Sequence, residues 1–163
     1  MGSEINDDKL YMPVPEIRLS DLLDWKNVND RNHRRKVQVE KNNDFKSQPN
    51  NTRMHNKCFG NQIQLNDENI ALFRIGQKVY ATQATCPHAG GPLHLADIEE
   101  LLTGEICLKC PWHKWQFSIH DGRTIYPLGH LIKAKTFPVK VDKDGKLFVG
   151  FDSFGPSAFS MDF

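Results

Sequence analysis

The chain lacks three features that would place it in a specialised class. No stretch of its 163 residues approaches 18 consecutive apolar side chains, so we expect no membrane-spanning segment. Lys and Arg number 21 against 20 Asp and Glu, so no net charge favours nucleic acid or an anionic membrane as a partner. Residues 1–9 are polar and contain no apolar core of a signal peptide, so the cytoplasm is the expected location.

Cysteine is scarce as well, with four residues in the whole chain. Without a secretory signal, four cysteines favour metal or redox chemistry in a reducing compartment over disulfides. The length suits one domain. We predict a disordered N-terminus at 1–11, a single domain at 12–152 and a C-terminal tail at 153–163. A segment at about 41–60, rich in Asn, Lys, Ser and Gln, is predicted to be a polar surface insertion within that domain.

Short alternating segments separated by Gly and Asp turns fill the chain after Gly60. They predict an all-β fold of antiparallel strands, a sandwich or barrel. Two turns, Gly76-Gln77 and Asp142–Gly145, predict hairpins. One helical candidate lies at 97–102, and a helical turn capped by Ser20 or Asp21 is predicted near the N-terminus. The predicted strands are 36–40, 62–65, 70–75, 78–82, 105–108, 115–119, 137–141 and 146–150.

Two short clusters, Cys86-Pro-His88 and Cys110-Pro-Trp-His113, carry the potential chemistry, with 21 residues between them. Each cluster offers one thiolate and one imidazole from a loop that follows a predicted strand. A Rieske-type [2Fe–2S] centre requires this inventory, with two Cys on one iron and two His on the other. Either loop alone is a weak signal, whereas the pair is a strong one.

The segments Cys86–Leu93 and Cys110–Phe117 resemble the two cluster loops of soluble Rieske ferredoxins and of small Rieske domain-containing proteins. The resemblance extends from about Gln62 to Phe151. It implies an all-β Rieske domain with an inserted cluster-binding subdomain and one [2Fe–2S] cluster. A third loop, matched by Tyr126–Gly129, is expected to cover the cluster. The implied metal ligands are Cys86, His88, Cys110 and His113.

The resemblance also implies the function, which is one-electron transfer by a carrier rather than catalysis by an enzyme. The implied partners are an NAD(P)H-dependent reductase and an oxygenase-type acceptor. Rieske oxygenases add a second domain with a mononuclear iron. Only 50 residues follow His113, so we expect no such domain here. One alternative is that the chain serves as the electron-transfer subunit of a larger oxygenase or reductase complex.

A zinc-binding structural module is the second alternative, because Cys107 and Cys110 form a Cys-x-x-Cys pair. Together with Cys86 and His113 they would make a Cys₃His site. That arrangement leaves His88 unexplained, so we interpret Cys107 as a small buried strand residue. Cys58 is interpreted as a free thiol without a function.

Overall fold

The computed structural model describes residues 8–27 and 59–156, and nearly all regular secondary structure in this part of the chain is short strands. Two single-turn 3-10 helices lie at Leu19–Asp21 and Leu93–Leu95. No helix in the described ranges is long and apolar enough to cross a membrane. The strands are β1 (Leu10–Arg18), β2 (Asn61–Leu65), β3 (Glu68–Ile75), β4 (Lys78–Gln83), β5 (Asp97–Glu100), β6 (Ile106–Lys109), β7 (Gln116–Ser118), β8 (Thr124–Tyr126), β9 (Thr136–Phe137), β10 (Val139–Val141) and β11 (Lys146–Phe151).

These strands form three antiparallel sheets. The first has the order β1-β11-β10 and the second has the order β2-β3-β4-β9. The third, with the order β5-β6-β7-β8, is inserted in the chain between β4 and β9. The predicted all-β class, with its inserted subdomain, is therefore confirmed.

Strand β3 separates two apolar cores and contributes side chains to both. Its residues alternate between them: Ile70 and Leu72 pack into one core, whereas Ala71 and Phe73 pack into the other. Successive side chains of a strand point to opposite faces, so a strand buried on both faces appears as a continuous apolar run. This explains the sequence Ile70–Phe73. The core on the Phe73 side also contains the side chains of the inserted subdomain.

The two predicted hairpins are present. Ile75 pairs with Lys78 across the turn that contains Gly76, whose φ of 68° is in the left-handed region. The second turn joins β10 to β11, and the Asp142 carboxylate accepts hydrogen bonds from the backbone N–H groups of Asp144 and Lys146. These bonds, with the one from Lys146 contributing most, hold the pKa of Asp142 below its usual range.

The helix predicted at 97–102 is wrong, because this segment contains strand β5. Asp97 to Glu100 pair in register with Lys109 to Ile106 of β6. Ile98 is buried, and Glu99 faces outward to an ion pair with Lys109 at 3.3 Å. A helix of six residues is too short to be stable alone. Pairing with the edge of β6 instead provides hydrogen-bond partners for the backbone N–H and C=O groups of this segment.

Of the predictions for the N-terminal part of the chain, some are confirmed, some are wrong, and some lie outside the described residues. The helical turn exists at Leu19–Asp21, but the predicted cap is wrong, because the N-cap is Arg18 and both Ser20 and Asp21 lie inside the turn. The Asp21 carboxylate reaches back and accepts a hydrogen bond from the Arg18 N–H at 2.8 Å. Strand β1 begins at Leu10, inside the segment predicted to be disordered. The predicted strand at 36–40, the polar insertion as far as Cys58, and the tail after residue 156 lie outside the described residues.

Candidate metal centre

The first cluster loop closes on itself directly after the end of the second sheet. The N–H of Cys86 donates to the carbonyl oxygen of Gly91 at 2.7 Å, and the N–H of Gly90 donates back to the carbonyl of Cys86 at 2.8 Å. Gly90 has a φ of +78°, which is costly for residues with a Cβ. Glycine at this position is therefore explained by the backbone conformation.

The second cluster loop repeats the same pattern between β6 and β7. The N–H of Cys110 donates to the carbonyl of Trp115 at 2.8 Å, and the N–H of Lys114 donates to the carbonyl of Cys110 at 3.0 Å. In both loops the residue four positions after the cysteine has a positive φ, which is 64° for Lys114. Lys114 is thus the structural counterpart of Gly90. Within this shared pattern, the histidine lies two positions after the cysteine in the first loop and three positions after it in the second.

A glycine at position 114 should stabilise the protein, because a lysine in the left-handed region carries steric strain. We expect Lys114→Gly to raise the free energy of unfolding by about 0.5–1 kcal/mol, since relief of that strain outweighs the added freedom of the unfolded chain. Lys114→Ala is the matched control, because it removes the same charged side chain but keeps the strain. Anaerobic guanidinium unfolding measures both, and a glycine variant less stable than the alanine variant would contradict the loop geometry.

The loops bring the four predicted ligands together in pairs. The imidazole rings of His88 and His113 lie 5.1 Å apart between centroids, at an angle of 79°. The thiols of Cys86 and Cys110 lie close enough to affect each other electrostatically, and both are almost fully buried. Gly91 makes this approach possible: a Cβ there would lie 3.0 Å from the sulfur of Cys110 and 3.1 Å from the ring of Trp112.

The surroundings of the Cys110 thiol act on its pKa in both directions. Burial raises the pKa most, and the nearby Cys86 raises it further. The backbone N–H groups of Trp112 and His113 face the sulfur and lower the pKa. Donors directed at sulfur stabilise the thiolate, which is the form that binds metal.

These donor groups fit a two-iron cluster. The Nδ1 atom of His88 is buried and has no hydrogen-bond partner within the protein, which is costly unless another group occupies it. In the described part of the chain, no group of three or more Cys, His, Asp or Glu side chains surrounds a single metal position. The donors occur as one thiol pair and one imidazole pair, and a Rieske centre takes two protein ligands on each iron.

Cys107, the cysteine required by the zinc alternative, lies on the opposite face of β6 from the core that contains Cys86 and Cys110. It sits opposite Glu99 and Ser118 in the register of β6, whereas its neighbour Leu108 points into the core that contains the two loop cysteines. Burial, followed by the charges of Glu99 and Glu105, raises the pKa of the Cys107 thiol to about 11. The thiolate needed for zinc binding is therefore disfavoured at this position.

Aromatic rings border the histidine side of the site. The Trp115 ring stacks on the His88 ring, with 4.0 Å between centroids and 11° between planes. Phe117 lies next to Trp115 and is fully buried. Trp112 remains 58% exposed, although its ring lies against Gly91. His113 is exposed, so one edge of the site is at the protein surface.

Two residues at the site were not identified from the sequence. Lys114 shows no helical or strand signal, and its conformation is evident only from the matching hydrogen bonds of the two loops. His130 belongs to no motif in the sequence, but its ring lies 4.7 Å from that of Trp115. It belongs to the segment after β8 that contains the predicted third loop. A spacing argument cannot find this contact, because Trp115 and His130 are fifteen positions apart in the chain.

Comparisons with known proteins agree with this geometry. Residues 37–143 match the family described as soluble Rieske-type ferredoxin. A human Rieske domain-containing protein is 37% identical over 62 residues, which are 38% of this chain and 39% of that protein. The match thus spans about two fifths of the relative's length. The ferredoxin component of a naphthalene 1,2-dioxygenase/salicylate 5-hydroxylase system from Ralstonia sp. is 32% identical over 49% of this chain and 71% of its own.

A solved structure shows the same fold. It is described as the small subunit of an NADH-dependent nitrite reductase from Mycobacterium tuberculosis, with a TM-score of 0.61 and 16% identity. The superposition covers 90% of this chain and 99% of that one. The family match covers well over half of the chain, including both cluster loops. The chain therefore belongs to the soluble Rieske-type ferredoxins, a family of electron carriers that hold a [2Fe–2S] cluster.

Proposed function

We propose that this protein is a one-electron carrier that holds its cluster through Cys86, His88, Cys110 and His113. The supporting observation is the pair of loops with one hydrogen-bond pattern, which place two buried thiols together and two imidazoles together. When bound, the cluster accepts and releases single electrons. The protein contributes the ligands, the N–H groups directed at Cys110, and a ring that fixes the plane of His88.

Anaerobic purification followed by metal analysis tests this proposal. We expect about two irons and two acid-labile sulfides per chain, a red-brown protein, and reversible uptake of one electron during dithionite titration. A colourless protein with one zinc per chain would show instead that the site is a structural zinc module.

The exposed apolar side chains of the described residues support a docking role for the edge of the site. Five of the seven large ones lie in the second cluster loop or in the segment after β7, and the remaining two are Leu10 and Leu102. Such a concentration typically marks an interaction surface. The five are Trp112, Tyr126, Leu128, Leu131 and Ile132.

We further propose that the electron passes from an NAD(P)H-dependent reductase to an oxygenase-type acceptor in the cytoplasm. The dioxygenase ferredoxin component among the relatives supports this direction. The test mixes the protein with NADH and the flavoprotein reductase of an aromatic-ring dioxygenase system, and follows bleaching of the visible spectrum. Bleaching by dithionite without any bleaching by the reductase would contradict the proposed donor.

A further inference from the structure

Three rings lie in contact at one edge of the site: the predicted ligand His88, then Trp115, then His130. Trp115 is in the middle, with 8% of its surface exposed. The His88 ring lies parallel to it at 4.0 Å, and the His130 ring lies at 4.7 Å with an angle of 55°. Parallel stacking restrains the plane of the His88 imidazole, since the ring cannot tilt without losing its contact with the indole. His130 in turn limits the space into which the indole can move.

His130 comes from a segment that is otherwise anchored at its base. Because Tyr126 belongs to β8, we take the third loop from here on as the whole connection between β8 and Ala134, residues 127–133, which includes the rest of the predicted segment Tyr126–Gly129. Its base is held by a hydrogen bond from the Thr124 hydroxyl to the Ile132 carbonyl and by one from the Ala134 N–H to the Gly122 carbonyl. The side chains of Leu128 and Leu131 point into solvent, with 87% and 96% exposure. The contact of His130 with Trp115 therefore links the outer part of this loop to the second cluster loop.

We propose that His130 is a positioning residue: it holds the third loop against Trp115 and thereby keeps water from the indole and from the His88 ring. This inference rests on the proposed function, because it concerns the environment of a predicted ligand. A low dielectric beside the site disfavours the extra negative charge of the reduced state. The ring contact of His130 thus lowers the midpoint potential through Trp115, without itself touching a ligand.

The test compares holo variants by redox titration at one fixed pH. His130→Ala should shift the midpoint potential to a higher value, because water then reaches Trp115. His130→Phe should restore the wild-type potential, because it replaces the ring. The matched control is His120→Ala: His120 is also exposed and also contacts an aromatic ring, Tyr80 at 5.3 Å, but it follows the end of β7 remote from the cluster loops. It should leave the potential unchanged.

A second readout does not depend on the potential. Hydrogen–deuterium exchange at the amides of residues 128–132 should become faster in His130→Ala and return to the wild-type rate in His130→Phe. Unchanged potential and unchanged exchange in His130→Ala would overturn the inference, as would a potential shift that His130→Phe fails to reverse. Failure of the proposed function would look different, because the wild-type protein itself would then lack the two irons and the visible spectrum.

Discussion

Replacing any one of the four predicted ligands by alanine should abolish the visible spectrum of the purified protein. Each of these residues supplies a thiolate or imidazole that the paired loops bring to one site. A missing ligand leaves an iron with a single protein donor, so iron and sulfide content should fall from about two per chain toward zero. The four variants are Cys86→Ala, His88→Ala, Cys110→Ala and His113→Ala.

Cys107→Ala is the matched control for these variants. Cys107 is as deeply buried as the loop cysteines, but its side chain lies on the Glu99 and Ser118 face of β6. The substitution should cost some stability and leave the spectrum intact, because truncating a small buried side chain creates only a small cavity. Loss of the cluster in Cys107→Ala together with its retention in His88→Ala would show that the ligand assignment is wrong.

The midpoint potential should lie near the low end of the Rieske range, at about −150 mV rather than about +300 mV. Respiratory-type Rieske proteins, which resemble this chain at the four ligand positions, carry a Ser and a Tyr after the second histidine. Their hydroxyls hydrogen-bond to sulfur and favour the reduced state. Trp115 and Phe117 occupy those positions here and have no hydroxyl to donate. The disulfide that joins the loops in those proteins is also excluded, because Gly91 and Trp112 occupy its positions.

The structure adds a second reason for a low potential. Trp115 stacks on His88, and Phe117 is fully buried beside it, so apolar rings exclude water from this side of the site. Phe117→Tyr should raise the potential if its hydroxyl reaches sulfur, and Trp115→Ser should raise it by adding a donor and by removing the stacked ring. Phe137→Tyr is the control, since Phe137 is buried in the other core. A redox titration of the unmodified protein that gives a midpoint well above zero would contradict this argument.

The sequence was most informative where local chemistry alone determines structure. The hairpin at Gly76 depends on a residue that adopts positive φ easily, and the loop cysteines and histidines are recognisable by spacing. Strand β5 could not be predicted, because Ile98 and Leu101 are spaced as on a helix and only pairing with β6 makes the segment a strand. The sequence also gives no sign that Lys114 and Gly90 share a positive φ, because this similarity lies in backbone conformation rather than in side-chain type.

The central claim is that two thiolates and two imidazoles from the paired loops bind one two-iron cluster. Electron–nuclear double resonance of the dithionite-reduced protein, with histidine labelled with ¹⁵N, tests it most directly. We expect hyperfine couplings from two histidine nitrogens in the unmodified protein and no cluster signal from His88→Ala or His113→Ala. A paramagnetic cluster without histidine nitrogen couplings, or a protein that binds zinc and gives no signal after reduction, would contradict it.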